Sequence, residues 1–172
     1  HVLENSEMNV PNNVVETFVK TNKELREKNV KTIREVARKN LMNNSNNPFD
    51  IKPFIRLPNA ATFAKFGERR HYFYNEQKID EAWHLGMDWA STKRADIIVT
   101  NPGKVIYKDY LGIYGDTVII DHGLGLGSLY AHTSSINVEV GNDVKTGDKI
   151  GNTGATGAVF GDHLHFGMLV QG

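Results

Sequence analysis

Hydrophobic and polar residues follow a helical period near the start of the chain. From residue 14 to residue 41, apolar side chains recur at roughly helical spacing with charged residues between them, and neither Gly nor Pro interrupts the stretch. The Pro-Asn-Asn run at 11–13 and the Asn-rich run that ends at Pro48 are typical start and stop signals. The pattern predicts a long N-terminal α-helix. This helix either packs on its own domain or forms a partner-binding or coiled-coil arm.

From Phe54 onward the pattern is typical of β-strands, with short β-branched runs separated by Gly, Asn and Asp. No helical segment lies between these runs, so the sequence favours antiparallel sheets over βαβ units. We expect Gly123, Gly125 and Gly127 to form a tight hairpin, because no helix pattern follows them as it would in a nucleotide-binding loop. The predicted strands are residues 97–100, 103–107, 117–122, 127–132, 137–140, 149–153 and 163–170.

Composition narrows the possible functions. The 172 residues include 20 basic and 20 acidic side chains, so the chain lacks the basic footprint of a nucleic-acid-binding protein. It contains no cysteine, so a metal would have to be bound by His and carboxylate groups. No apolar run approaches the ~18 residues of a membrane span. The N-terminus shows neither a signal peptide nor an initiator Met, so we expect a mature or recombinant fragment with any anchor upstream.

Two histidine motifs carry candidate metal chemistry. His163 and His165 lie in a strand pattern, where residues i and i+2 share a face about 6.6–7 Å apart. One imidazole can then bind a metal while the other lies beside it, although a structural pair is the simpler alternative. His84 and Asp88 would be ~13 Å apart in an extended chain, but Gly86 between them permits a bend toward one ion. A helical i, i+4 arrangement of the pair is also possible.

Together these residues resemble a catalytic zinc site more than a structural one. Two His nitrogens and one Asp oxygen leave a fourth position for water, which is the open pattern of catalytic zinc. Zinc lowers the pKa of its bound water and polarises a carbonyl, and peptide hydrolysis needs both effects. A general base and an oxyanion stabiliser are also required. His132 and His163 are the candidates, since imidazole transfers protons near neutral pH.

The remaining three histidines show weaker evidence of a functional role. His122 follows an apolar strand and is expected to be a turn residue. His71 lies among charged and aromatic residues and faces either substrate or solvent. His1 is a terminal residue with no expected function.

The order of these motifs resembles that of the M23 metallopeptidases, the lysostaphin/LytM-type murein endopeptidases. Other motifs support the resemblance. Phe66-Gly67-Glu68-Arg69 is similar to the family's Phe-Gly-x-Arg. Residues 140–151 are similar to its Val-Gly-x-x-Val-x-x-Gly-x-x-Ile-Gly stretch, and a Gly-Ala-Thr-Gly run at 154–157 precedes the final motif. The resemblance covers about residues 54 to 172.

The resemblance implies one Zn²⁺ held by His84, Asp88 and His165, with His132 and His163 as catalytic histidines whose roles stay undivided. It implies a mainly β fold, an antiparallel β-sheet groove of the LytM/M23 type preceded by the N-terminal helix. We therefore expect a helical segment at 1–48 and a catalytic domain at 49–172.

The implied substrates are peptide stems of bacterial peptidoglycan. Within the family, the long helical lead-in and the run around His132 are similar to endopeptidases of curved or helical Gram-negative rods, which set cell shape. The expected bond is the D-alanyl–diaminopimelate cross-link. The expected location is the periplasm, with an inner-membrane anchor upstream of this chain. The helix would suit a homodimer or a heterodimer with a related M23 protein.

The chain also departs from the family pattern. It ends seven residues after His165, where the family continues, so we expect the last strand to be truncated or absent. Residues 71–83 are polar and are expected to form a loop over the groove. An alternative function is a binding or activating module that works through a partner hydrolase, although such modules have lost zinc ligands that are present here. A biotinyl or lipoyl carrier domain lacks support, because no Met-Lys-Met or Asp-Lys-Ala hairpin occurs.

Overall fold

The computed structural model describes residues 5–21, 23–41 and 51–170, which form a mainly β fold with helices near the N-terminal end. The helices are α1 (Val15–Lys20), α2 (Lys23–Leu41) and a 3₁₀ turn at Gly112–Tyr114. The strands are β1 (Asn5–Asn9), β2 (Ala61–Ala64), β3 (Arg69–Tyr74), β4 (Gln77–Trp83), β5 (Met87–Ala90), β6 (Asp96–Ile98), β7 (Gly103–Tyr110), β8 (Asp116–Asp121), β9 (Leu126–Ala131), β10 (Ser135–Ile136), β11 (Asp143–Val144), β12 (Lys149–Asn152) and β13 (Leu164–Val170).

A seven-stranded sheet with the order β11-β7-β8-β9-β13-β5-β2 forms the centre, and every neighbouring pair is antiparallel, as predicted. Two three-stranded sheets accompany it, with the orders β10-β12-β6 and β1-β3-β4. Strand β1 runs parallel to β3, and the sequence pattern did not predict this strand.

Burial on both faces explains the continuous apolar run of β8. Val118 and Ile120 point into the main core, where Ile97 and Ile150 pack from the β10-β12-β6 sheet. Ile119 points to the opposite face and joins a second cluster with Ile33 of α2. Since successive strand residues face opposite sides, a strand covered on both sides has no polar positions to alternate with.

The predicted N-terminal helix is present, but it is divided into a six-residue helix and a 19-residue helix. The division falls at Thr21, where ψ is 86° and the side-chain hydroxyl donates to the carbonyl of Thr17 at 2.7 Å. This local bond competes with helix continuation. Phe18 of α1 and Ile33 of α2 pack in different apolar clusters of the same domain.

The apolar face of α2 is buried against its own domain, through Ile33, Ala37 and Leu41. The side-chain oxygen of Asn29 accepts a hydrogen bond from the backbone N–H of Ile113 at 3.0 Å, and Arg26 is ion-paired with Asp80. The helix therefore packs on its own domain, which was the first of the two alternatives. Pairing with another chain stays a prediction, and it would have to use the polar face.

Six of the seven predicted strands overlap observed ones, and the hairpin at the glycine run is confirmed. Gly123 and Gly125 have φ values of 81° and 74° in the turn between β8 and β9. The strand predicted at 137–140 is wrong, because a turn forms there. The N–H of Asn142 donates to the carbonyl of Glu139 at 3.0 Å, and its side-chain oxygen accepts from the N–H of Glu139 at 2.9 Å.

The loop predicted at 71–83 is also wrong, since these residues belong to the β3–β4 hairpin. Asn75 and Glu76 form its turn with φ values of 47° and 64°, the left-handed conformation of a tight hairpin. Polar residues that suggested a loop instead form ion pairs on the strands, as Glu81 does with Arg69 at 2.6 Å. No helix within the described residues combines the length and apolar character needed to cross a bilayer.

The packing of α2 predicts a stability effect at Ile33. We expect Ile33→Ala to lower the free energy of unfolding by about 2–5 kcal/mol, because it leaves a cavity between α2 and the sheet. Lys28→Ala, on the exposed side of the same helix, should change it by less than ~0.5 kcal/mol. Urea denaturation of both variants measures this. Equal midpoints for Ile33→Ala and the wild type would mean that α2 does not dock on the sheet in solution.

Candidate active site

Three buried side chains converge on one point. Nε2 of His84 lies 3.0 Å from Nδ1 of His165, and Oδ1 of Asp88 lies 2.9 Å from each of these nitrogens. All three residues are buried. The fold thus brings together the three residues that the sequence predicts as metal ligands, although they are separated by as many as 81 positions along the chain.

Strand register accounts for the positions of two of these three residues, Asp88 and His165. Strand β13 lies between β5 and β9, and His165 pairs with Asp88 on one side and with Ala131 on the other. Residues directly opposite each other in antiparallel strands point to the same face of the sheet. Asp88 and His165 are therefore neighbours. His132 directly follows Ala131, which is aligned with them on β9.

His84 reaches the same point because the chain bends before β5. The bend is at Gly86, as the sequence suggested, and it replaces the ~13 Å separation of an extended segment with a contact of 2.9 Å between His84 and Asp88. Gly86 does not have a left-handed backbone. Its lack of a side chain matters instead, because a Cβ there would lie 2.6 Å from Nε2 of His165 and 2.6 Å from the carbonyl oxygen of Phe166.

The hydrogen bonding of His84 shows that the cluster fits a cation. Its Nδ1–H donates to the backbone carbonyl of Lys65 at 2.7 Å, which selects the tautomer whose lone pair on Nε2 faces the other ligand atoms. Burial lowers the pKa of His165, which favours the neutral form that binds metal. Electron pairs from two nitrogens and a carboxylate then face one another, and a cation stabilises that arrangement. Two nitrogens and one oxygen are a donor set that suits zinc.

The second carboxylate oxygen of Asp88 is held by Arg70. Nη2 of Arg70 donates to Oδ2 of Asp88 at 2.8 Å, while its Nε donates to Oε2 of Glu68 at 2.9 Å. Burial by itself would lower the pKa of Arg70, but the hydrogen bond to Asp88 and the charge of that carboxylate raise it, so the guanidinium stays charged. The motif resemblance matches Arg69, not Arg70, to the family's Phe-Gly-x-Arg, and no spacing in the sequence indicates that Arg70 is the one that faces Asp88.

His132 lies beside the ligand cluster in a conformation that is rare for a residue with a side chain, with φ at 61°. Its Nδ1–H donates to the backbone carbonyl of Thr156 at 2.9 Å, which leaves Nε2 free. Burial lowers the pKa of His132 well below its usual value, and the neighbouring His163 and His165 lower it further. The ring is therefore neutral at neutral pH and able to accept a proton.

His163 lies next to His132, with 4.9 Å between the ring centroids. Its Nδ1–H donates to the carbonyl of Gly161 at 2.8 Å, and its Nε2 lies 3.7 Å from Oδ1 of Asp88. The structure therefore brings both predicted catalytic histidines to the edge of the ligand cluster. In both rings a backbone carbonyl fixes the tautomer.

Two other histidines lie away from this site. His122 is fully buried next to the β8–β9 turn, with its Nδ1 2.7 Å from the carbonyl of Pro102 and its Nε2 2.7 Å from Oγ of Ser128. His71 on β3 lies 3.4 Å from a carboxylate oxygen of Glu81. His1 lies outside the described residues.

An open cleft of about 290 Å³ leads to the cluster. His132, His163, His165 and Asp88 line its floor. Its wall is largely apolar, and the N-terminal segment contributes to it through Met8 and Phe18. The ring of Phe18 lies 5.0 Å from those of Tyr72 and Phe160, which fixes the position of this wall.

Several known proteins are similar to this chain in sequence. The family model described as "Peptidase family M23" matches residues 82–172. DD-carboxypeptidase/endopeptidase Mpg of Neisseria meningitidis is 32% identical over 124 residues, which cover 72% of this chain and 27% of that protein. Peptidoglycan DD-endopeptidase ShyB of Vibrio cholerae is 39% identical over 88 residues, 51% of this chain and 21% of the relative. Murein hydrolase activator EnvC of Escherichia coli is 33% identical over 99 residues, which cover 58% of this chain and 24% of that protein.

Among solved structures, a zinc-containing peptidase from Vibrio cholerae matches with a TM-score of 0.59 and 30% identity, over 73% of this chain and 37% of that chain. The matched region thus spans about a quarter of the length of the curated relatives named above.

The close approach at Gly86 predicts a sensitive position. We expect Gly86→Ala to weaken zinc binding on the order of 10- to 100-fold, because the added methyl group displaces the ring of the ligand His165. Gly167→Ala is the matched control on β13, since a Cβ there meets only ordinary contacts of 3.6 Å or longer. Chelator competition with the purified variants measures both affinities. Wild-type affinity in a folded Gly86→Ala variant would contradict this account of the glycine.

Proposed function

The chain belongs to peptidase family M23, and we propose that it is a zinc-dependent endopeptidase that hydrolyses peptide cross-links of bacterial peptidoglycan. One observation carries the proposal: His84, Asp88 and His165 converge within contact distance while His132 and His163 border them in an open cleft. Three protein ligands with an open fourth side are the pattern of catalytic zinc, whereas structural zinc has four.

The substrate class comes from the relatives. Mpg is named a DD-carboxypeptidase/endopeptidase and ShyB a peptidoglycan DD-endopeptidase. We propose the D-alanyl–diaminopimelate cross-link as the bond that is cleaved. The largely apolar cleft is compatible with an extended peptide whose alanyl methyl groups lie against the wall and whose amide lies over the ligand cluster.

Zinc, when bound, acts as a Lewis acid that polarises the substrate carbonyl and lowers the pKa of a coordinated water. The chain's own residues then handle the proton. His132 and His163 each direct Nδ1 to a backbone carbonyl, so in the neutral tautomer the lone pair is on Nε2, and either ring can accept a proton from the attacking water. A ring that has accepted a proton becomes an N–H donor at the same atom, and it can then stabilise the developing negative charge or protonate the leaving amine.

The proposed substrate places the protein outside the cytoplasm. We propose that it acts in the periplasm of a Gram-negative cell, attached to the inner membrane through a segment outside this chain, and that its cleavage of cross-links contributes to cell shape. The absence of cysteine is compatible with an extracytoplasmic location.

A second candidate function is activation of a separate wall hydrolase, because EnvC is named a murein hydrolase activator. In that case the cleft would bind a protein or wall peptide without hydrolysis. The complete ligand set and both neighbouring histidines favour the enzyme.

Digestion of purified Gram-negative sacculi tests the main proposal. We expect the zinc-loaded protein to convert cross-linked dimeric muropeptides to monomers, and chelation to abolish the conversion until zinc is restored. His165→Ala should be inactive because it removes a ligand, whereas His71→Ala should retain activity. Chromatography of the muropeptides measures the conversion. Intact cross-links with zinc-loaded wild-type protein would reject the enzyme, and stimulation of an added wall hydrolase would then support the activator.

Variants of the two neighbouring histidines separate proton transfer from metal binding. We expect His132→Ala and His163→Ala each to lower kcat by about 10²–10⁴-fold, because proton transfer by a positioned side chain contributes that much. Neither should remove zinc, since neither belongs to the ligand cluster. Metal analysis and cleavage rates on a soluble cross-linked muropeptide measure the two effects. Loss of zinc in either variant would show that the residue is a ligand instead.

A further inference from the structure

We propose that Arg70 is a positioning residue that acts through Asp88: by holding one carboxylate oxygen, it keeps the other aimed at the metal and thereby sets the zinc affinity. This inference rests on the proposed function, because it concerns the same site. The two oxygens of Asp88 have separate partners. Oδ1 lies 2.9 Å from the nitrogens of His84 and His165, and Oδ2 accepts from Nη2 of Arg70 at 2.8 Å.

The contact uses the geometry of a guanidinium. Nε and Nη2 lie on one fork and hold two different carboxylates, Glu68 at 2.9 Å and Asp88 at 2.8 Å. The side chains of Arg70, Glu68 and Asp88 are only 12%, 16% and 3% exposed, so the pairs are shielded from solvent. A lysine has a single ammonium group on a flexible stem and lacks this fixed fork.

The segment that carries Arg70 also positions the backbone of a second predicted ligand, His84. The N–H of His84 donates to the carbonyl of Glu68 at 2.8 Å, and the N–H of Gly67 donates to the carbonyl of His84 at 2.8 Å. These bonds extend the β3–β4 pairing up to the ligand. Residues 67–70 therefore hold the backbone of His84 and the side chain of Asp88 at once.

Charge balance predicts the effect of removing the Arg70 side chain. The guanidinium of Arg70 pairs with two shielded carboxylates, those of Glu68 and Asp88. Without it, the Asp88 carboxylate is free to rotate and loses the partner that makes it a one-oxygen ligand. Partners of metal ligands typically contribute 10- to 100-fold to metal affinity.

Arg69 supplies a matched control. It is the preceding residue of the same strand, so its side chain faces the opposite side of the sheet. It pairs with Glu81 at 2.6 Å, lies over the ring of Trp83, and is 41% exposed. It contacts none of the ligand residues in the described part of the chain.

The experiment compares Arg70→Gln, Arg70→Lys and Arg69→Gln in the same chain. Zinc dissociation constants come from competition with a chromogenic chelator, and the visible absorption spectrum of the Co²⁺-loaded protein reports ligand geometry. Thermal melting of the metal-free proteins checks folding. We expect zinc affinity to fall 10- to 100-fold in Arg70→Gln, with an altered Co²⁺ spectrum at saturation. Arg70→Lys should fall in between, and Arg69→Gln should match the wild type.

A purely structural role would lower the melting temperature and leave the saturated Co²⁺ spectrum unchanged, and that result would overturn the inference. Wild-type zinc affinity in folded Arg70→Gln would also overturn it. If Arg70→Gln does not fold, Arg70→Lys decides by the same criteria. Wild-type protein that binds zinc without cleaving cross-links would reject the proposed function alone, whereas equal affinities in an active enzyme would reject the Arg70 role alone.

Discussion

The register of β13 between β5 and β9 is the constraint on which the site depends. Leu164 and Phe166 are buried in the main core, and in a strand this directs the residue between them to the opposite face. His165 therefore points away from the core toward Asp88, its partner on β5. A shift of one residue would turn the histidine into the core and expose the apolar pair. Hydrophobic burial thus fixes the position of a predicted metal ligand that makes no apolar contribution itself.

Backbone carbonyls prepare the rest of the site. Nδ1 of His84, His132 and His163 each faces a carbonyl oxygen, at Lys65, Thr156 and Gly161 respectively. Three imidazoles consequently share one tautomer, and Nε2 of His84 and of His163 lies toward Asp88, whereas His165 contributes Nδ1. This arrangement satisfies buried polar groups that would otherwise destabilise the fold. It also leaves one ring nitrogen per residue for metal or proton chemistry.

The N-terminal segment is part of the same structure rather than a separate arm. Strand β1 pairs with β3, Phe18 packs on Tyr72 at the cleft, and α2 covers the second face of the central sheet. The apolar positions that made a coiled coil conceivable are used inside the domain. The division at residue 48, drawn from a change in sequence pattern, stays a prediction. The packing of the described residues crosses it.

The sequence alone determined the mainly β class and the glycine turn before β9, and it predicted the five site residues that the structure brings together. These follow from motif order, side-chain type and the period-2 pattern, which are properties of the chain itself. Only the tertiary structure decided the break at Thr21, the parallel pairing of β1, and the hairpin at residues 69–83. It also showed that Arg70, rather than the Arg69 that matches Phe-Gly-x-Arg, faces Asp88, because a strand directs adjacent side chains to opposite faces. Contacts between distant segments have no local pattern, and the partner of Asp88 was therefore decided by the packing of one sheet against another.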